Sequence, residues 1–206
     1  MNSTVERDPE ALLASARAGD KQALGELLGQ YTHYLTLLAR VQIGRRLRGK
    51  VEDVDLVQET FLEAHRHFEG FRGTTEGELV SWLRTILAAR LSNLLRRYYG
   101  TQRRDVRLER ELADELDQSS LTLGRCLAAV QSTPSQQAAR REQAVLLANA
   151  LERLPAAYRE VIILSHLEGL PFSEVARRMG RTVYSVKNLW ARALGRLRRS
   201  LGERHD

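Results

Sequence analysis

The chain has 206 residues and a formal net charge of +6, with 32 Lys and Arg against 26 Asp and Glu. A hydrophobic fraction of 43% supports one or two cored domains, and the basic excess favours a polyanionic partner, nucleic acid first and an anionic membrane surface second. One cysteine excludes an internal disulfide framework, no stretch approaches the ~20 apolar residues that span a bilayer, and the N-terminal MNSTVERDPE lacks a signal-peptide pattern, so a cytoplasmic protein is expected.

The periodic segments all read as helix. No proline falls between Pro9 and Pro134, alternating β-branched runs are absent, and Val161-Ile162-Ile163 continues a helical pattern. The expected class is all-α, with two small helical domains joined by a linker. Residues 8–100 form the first domain, 101–141 the linker, and 142–203 a four-helix unit ending in a helix-turn-helix.

Asp8-Pro9-Glu10 opens the first helix with a capping carboxylate, a proline and an acid. Gly19-Asp20 ends it and caps a second helix carrying Leu24, Leu27, Leu28, Tyr31, Tyr34, Leu35 and Leu38. Arg45, Arg46, Arg48 and Lys50 make a basic connection, which fits a solvated loop better than a nucleic-acid contact. A third helix begins near Asp53, with Leu56, Val57, Phe61, Ala64 and Phe68 available for burial. Asp55, Gln58, Glu59 and Glu63 give it an acidic outer strip, which in a basic protein points to a protein partner.

A loop, Phe71 to Gly77, leads to a fourth helix from about Glu78 to Tyr99. Leu79, Trp82, Leu83, Ile86, Leu87, Leu91, Leu94 and Leu95 form its apolar stripe, and Arg84, Arg90, Asn93, Arg96 and Arg97 lie off it. Aromatics beside cations suit single-stranded nucleic acid; a Trp at helical spacing is more often core than base platform. From Gly100 to about Arg141 the pattern weakens, with Ser, Thr and Gln around Pro134, and Cys126 there reads as an inert small hydrophobe. Helices follow over 142–154 and around Tyr158 to Leu167, closed by Gly169.

The last stretch, Leu170 to Leu201, reads as a helix-turn-helix. Pro171 suits the opening turn of its first helix, and Val175, Ala176 and Met179 form the apolar face. Gly180 supplies a left-handed stop and Thr182 caps the second helix. Val183, Val186, Trp190, Leu194, Leu197 and Leu201 read as a buried stripe. The other face carries Tyr184, Ser185, Lys187, Asn188 and Arg192, which suits the major groove of DNA better than a merely solvated helical hairpin.

Taken together, the two halves resemble the sigma-70 family of bacterial RNA polymerase initiation factors, extracytoplasmic-function type. Asp55 to Phe61 looks like the family's polymerase-binding helix. Phe71-Arg72-Gly73, Trp82-Leu83 and Arg96-Arg97 look like its promoter-melting segment. Leu151 to Pro155, Gly169, Glu174-Val175-Ala176 and Thr182 through Leu197 look like its DNA-binding domain.

The resemblance implies a promoter-specificity subunit that binds core RNA polymerase, recognises promoter DNA and helps melt it. Asp53, Asp55, Leu56, Gln58, Glu59 and Phe61 would dock on polymerase. Arg72, Gly73, Thr74, Thr75, Trp82, Arg84, Arg90, Asn93, Arg96 and Arg97 would engage the downstream element, where a base is unstacked. Arg181, Thr182, Tyr184, Ser185, Lys187, Asn188 and Arg192 would read the upstream duplex. An anti-sigma protein is a further partner the resemblance implies.

The sequence departs from the family at Glu52, Ala89, Asn93 and Pro171, where Asp, Asn, Asp and a capping Ser are usual. A stand-alone helix-turn-helix regulator would explain the C-terminal domain alone. An enzyme is not expected, nor a cofactor or metal. The five histidines form no ligand spacing, and no phosphate loop or HExxH motif occurs.

Overall fold

The computed structural model describes residues 8–46, 53–99, 106–130 and 137–202. Within them the regular elements are ten α-helices, one 3-10 turn and one π turn, with no strand, in line with the all-α expectation. No helix among them is long and apolar enough to cross a membrane. The expected basic residues Arg48 and Lys50, the departure at Glu52, and Pro134 lie outside the described residues, as do the side chains of Arg45, Arg46, Asp53 and Cys126.

Two compact units divide the chain. The first takes described residues to Ala39 and from α4 to Leu116; the second takes the rest. Helix α1 spans Pro9–Arg17, with the Asp8 carboxylate accepting the Glu10 N–H at 3.2 Å. Asp20 caps α2, Lys21–Gln30, by accepting from Gln22 and Ala23 at 2.9 and 3.1 Å. The sequence pattern implied one helix through Leu38. Instead the chain breaks at Tyr31, whose N–H reaches Leu28, and α3 restarts over Thr32–Arg46. The break leaves Tyr31 and Tyr34 both buried, with Leu27, Leu35 and Leu38. Apolar spacing survives a one-residue break, so periodicity carries no sign of it.

Helix α4 spans Asp53–His67, a 3-10 turn follows over Phe68–Gly70, and α5 runs Glu76–Tyr99. Leu56, Val57 and Ala64 of α4 bury with Leu79, Leu83, Leu87 and Leu91 of α5 in the first unit's core. Helix α6, Val106–Val130, lies in the stretch read as linker, and Leu112, Leu116 and Leu123 are buried on it. Its charge-rich composition masked three leucines at helical spacing.

In the second unit α7 spans Gln137–Glu152 and α8 Ala156–Ile162. Pro155 starts α8, its carbonyl accepting from Tyr158 and Arg159. A π turn, Ile163–Leu167, carries the chain to α9, Phe172–Met179, and α10, Val183–Gly202. Helix α10 packs on α7, α8 and α9. Four helices were expected over 142–203; the second unit also takes in residues 40–46 and α6 from Asp117. Between α9 and α10, Gly180 takes φ 61°, ψ 37°, a left-handed conformation that costs glycine little.

Candidate nucleic-acid interfaces

The second helix of the helix-turn-helix starts where the sequence placed it. The Thr182 hydroxyl accepts the Ser185 N–H at 3.2 Å, satisfying one of the free donors of the first turn. The buried stripe differs from expectation. Val186, Ala193, Leu197 and Leu201 are buried, Trp190 and Leu194 are half-buried, and Val183 is 40% exposed. Val183 opens the helix, before α10 reaches its neighbours. Ala193 was missed because alanine carries a weak hydrophobic signal.

The opposite face presents Arg181, Tyr184, Lys187 and Arg192 to solvent, with Ser185 and Asn188 half-buried beside them. Tyr184 is 76% exposed. None of Arg181, Lys187 and Arg192 has an ion-pair partner among the described residues. Helix α9 contrasts with this. Arg177 binds Glu174 through Nε at 2.9 Å, and Arg178 binds Glu168 at 2.8 Å. The Arg177 guanidinium holds the Glu174 carboxyl below its ordinary range, and Glu174 raises Arg177 in return. The cations of α9 are therefore neutralised within the fold, while those of α10 are available to an external anion.

Trp190 anchors α10 at an aromatic cluster. Its ring lies 5.6 Å from His166 and 5.7 Å from Phe172, and its Nε1–H donates to His166 Nδ1 at 3.4 Å. Burial holds the His166 imidazole below its ordinary pKa.

In the first unit, the loop before α5 is built rigidly. Phe71 stacks 4.9 Å from Trp82 and 5.9 Å from Phe68. A Cβ on Gly73 would sit 2.2 Å from the Phe71 ring and 2.9 Å from Glu78 Cβ, so a larger residue here must displace one of them. Thr75 and Glu78 form a reciprocal capping box. Glu78 Oε2 accepts from the Thr74 and Thr75 N–H groups at 2.8 and 3.1 Å, and Thr75 Oγ1 accepts the Glu78 N–H at 3.3 Å. The Thr74 N–H, followed by that of Thr75, draws the Glu78 carboxyl below its ordinary range. The box starts α5 at Glu76, earlier than apolar periodicity suggested. Its T-x-x-E signature stands in the sequence and was the signal overlooked.

The ten residues assigned to promoter melting separate sharply. Arg72, Thr74, Thr75 and Arg97 are exposed. Trp82 is half-buried against Phe68 and Phe71, so its ring is engaged within the fold, as its place on the apolar stripe suggested. Arg84 is 4% exposed and donates to the Tyr34 hydroxyl at 3.1 Å, so it is a core residue and not a nucleic-acid contact. Its position off the leucine stripe hid this, because α5 is covered on more than one side. Arg90 is tied to Glu63 of α4 at 2.6 Å, and Arg96 donates to Asn93. The exposed aromatics of α5 are Tyr98 and Tyr99, at 43% and 60%, in edge contact beside Arg97.

On α4, Asp55, Gln58 and Glu59 are exposed, as expected of the outer strip. Leu56 is 3% exposed and lies in the core, which corrects its place at a docking surface; Phe61 is half-buried. Sequence reasoning missed Val54 and Leu62, exposed at 47% and 59% on this helix. Val54 and Leu62 add exposed apolar surface to an otherwise acidic face. Among the described residues no group of three His, Cys, Asp or Glu side chains is arranged to hold a metal ion.

The sequence model of sigma-70 region 2 matches residues 30–101, and that of sigma-70 region 4 matches residues 144–197. Together they take in more than half of the chain. The ECF RNA polymerase sigma factor BldN of Streptomyces coelicolor is 31% identical over 92% of this chain, which spans 64% of BldN's own length. The ECF RNA polymerase sigma-E factor of Haemophilus influenzae is 29% identical over 89% of this chain and 90% of that protein. SigM of Mycobacterium tuberculosis is 28% identical over 96% and 86% respectively. With both conserved regions present in order and aligned relatives of one kind, the chain belongs to the sigma-70 family of RNA polymerase sigma factors, extracytoplasmic-function type, whose members direct polymerase to promoters.

Proposed function

We propose that this chain is a non-catalytic, cytoplasmic promoter-specificity subunit with three separate working surfaces. The outer face of α4, with Asp55, Gln58, Glu59 and Leu62, docks on core RNA polymerase. The loop at Arg72, Thr74 and Thr75 and the exposed side of α5 at Arg97 engage the unpaired strand of the downstream element. The exposed face of α10 reads the upstream duplex through Tyr184, Ser185, Lys187, Asn188 and Arg192, with Arg181 at its entry. An anti-sigma protein is a further partner under this reading.

One observation carries the proposal. Within a chain of net charge +6, α4 keeps an acidic face with an exposed leucine, while α10 keeps cations that no carboxylate among the described residues satisfies. A protein acting on DNA alone has no use for the first surface; one acting between polymerase and DNA needs both.

Unpairing a base costs a few kcal/mol, and a loop fixed beforehand loses little further entropy on capture. The crowding at Gly73 and the Thr75–Glu78 box supply that fixation.

Reconstitution tests the reading. The full chain should co-purify with core polymerase and start transcripts at discrete sites. Failure to bind core polymerase, together with tight operator binding by the free chain, would favour a stand-alone regulator.

A further inference from the structure

Helix α10 carries a glycine that its own packing does not explain. Gly195 lies in the helix interior and is exposed, and a Cβ added there would meet nothing within 4 Å. Alanine would fit and would be the better helix former, because glycine loses the most backbone freedom on becoming helical. Gly195 forms part of the lining of a cleft of about 270 Å³, with Arg192, Arg196 and Arg199 of the same helix and Tyr158 of α8. Among the described residues no carboxylate lines the cleft, and none of the three arginines has an ion-pair partner. Three like charges around one space repel each other until an anion enters. A glycine among them lets that anion approach the helix backbone closely.

We infer that this cleft holds a phosphate of the DNA backbone, at the rim of the major groove that α10 enters. The inference rests on the reading of α10 given above, and the register of the helix supports it. Arg196 lies about 12 Å along the axis beyond Asn188, at about 1.5 Å per residue. The major groove is itself about 12 Å wide. With Tyr184 and Asn188 at the base edges, Arg196 and Arg199 reach the phosphate wall. A guanidinium fork matches phosphate oxygens in pairs. An acidic protein segment would satisfy the same charges. The duplex is favoured because Arg192 belongs both to the cleft and to the base-facing side of α10.

The test uses polymerase reconstituted with the full chain carrying Arg196→Ala, Arg199→Ala or Gly195→Leu. Promoter affinity is measured over a salt series, on the promoter and on the same DNA with the upstream element scrambled. Each arginine variant should bind about tenfold more weakly at low salt, and the log–log salt dependence should flatten by about one for a lost phosphate. The preference for the intact element should be unchanged, because phosphate contacts carry no sequence information. Gly195→Leu should raise the melting temperature of the free chain yet weaken DNA binding, an opposition that a purely structural glycine would not produce. Unchanged affinity and salt slope in all three variants would overturn the phosphate assignment, as would a loss confined to polymerase capture, which would assign the cleft to an acidic protein surface. Asn188→Ala in the same assay separates the two readings: lost element preference there, with no effect in the cleft variants, would sink the cleft alone.

Discussion

The guanidinium of Arg17 donates a 3.2 Å hydrogen bond to the backbone carbonyl of Gly73, joining the last turn of α1 to a loop 56 residues further along. Helix α1 lies outside the residues that match sigma-70 region 2, yet it holds the loop proposed to take an unpaired base. Tyr31 braces the next turn, its hydroxyl donating to Glu76 at 3.0 Å. Arg17→Ala should leave polymerase binding intact and reduce promoter opening several-fold. Permanganate reactivity of unpaired thymines reads the effect; equal opening by the variant would remove α1 from the mechanism.

Gly73→Ala makes a harsher demand on the same loop. The new methyl group must displace the Phe71 ring or Glu78. Overpacking of this kind costs about 1–3 kcal/mol. Thermal unfolding should register the loss. Trp82 emission should shift as Phe71 leaves its stacked position, and an unshifted spectrum would show that the crowding relaxes elsewhere.

Arg84 and Arg97 are both arginines of α5 assigned from sequence to melting, and the structure gives them opposite fates. Arg84→Ala removes a buried partner of the Tyr34 hydroxyl and should cost about 2–4 kcal/mol of stability. Arg97→Ala, at an exposed site, should change stability by less than about 0.5 kcal/mol while weakening single-strand binding. Denaturant unfolding and binding to a forked promoter fragment distinguish the two. Similar stability losses in both variants would contradict the burial pattern.

On α4, Asp55→Ala and Leu62→Ala should fold normally, since both side chains are exposed. Each should weaken binding to core polymerase, Leu62→Ala by about tenfold if it fills a pocket on the partner. A titration of labelled chain against core polymerase measures this. Wild-type affinity in both variants would refute the docking face.

The neutral His166 ring accepts a hydrogen bond from Trp190, and burial lowers its pKa from the ordinary 6.5. A lowered folded-state pKa means that the unfolded chain takes up the proton first. The contribution of His166 to stability is thus complete above about pH 6.5 and is lost as pH falls through that value toward the lower folded-state pKa. Urea midpoints of the full chain should decline over that interval. His166→Phe should flatten the decline, and an identical decline in the variant would place the titration elsewhere.

What was legible in the sequence is what local physics controls. Caps at Asp8, Asp20 and Thr182, the stop at Gly180 and the apolar spacing of α5 and α10 act over one or two helical turns. They can be read without knowing the neighbours. The helical class and the helix-turn-helix follow from them. Which polar side chains remain available to a partner is another matter, because it depends on what packs from a distance. Arg84, Arg90 and Arg97 share a helix and a charge, and only the placement of Tyr34 and Glu63 separates a core residue, a cross-link and an exposed cation. The same holds for Leu56, buried by α5, against Leu62, left exposed. The open cleft beside Gly195 needed Tyr158 from another helix to close it. Burial and pairing are properties of surroundings, and tertiary structure alone supplies them.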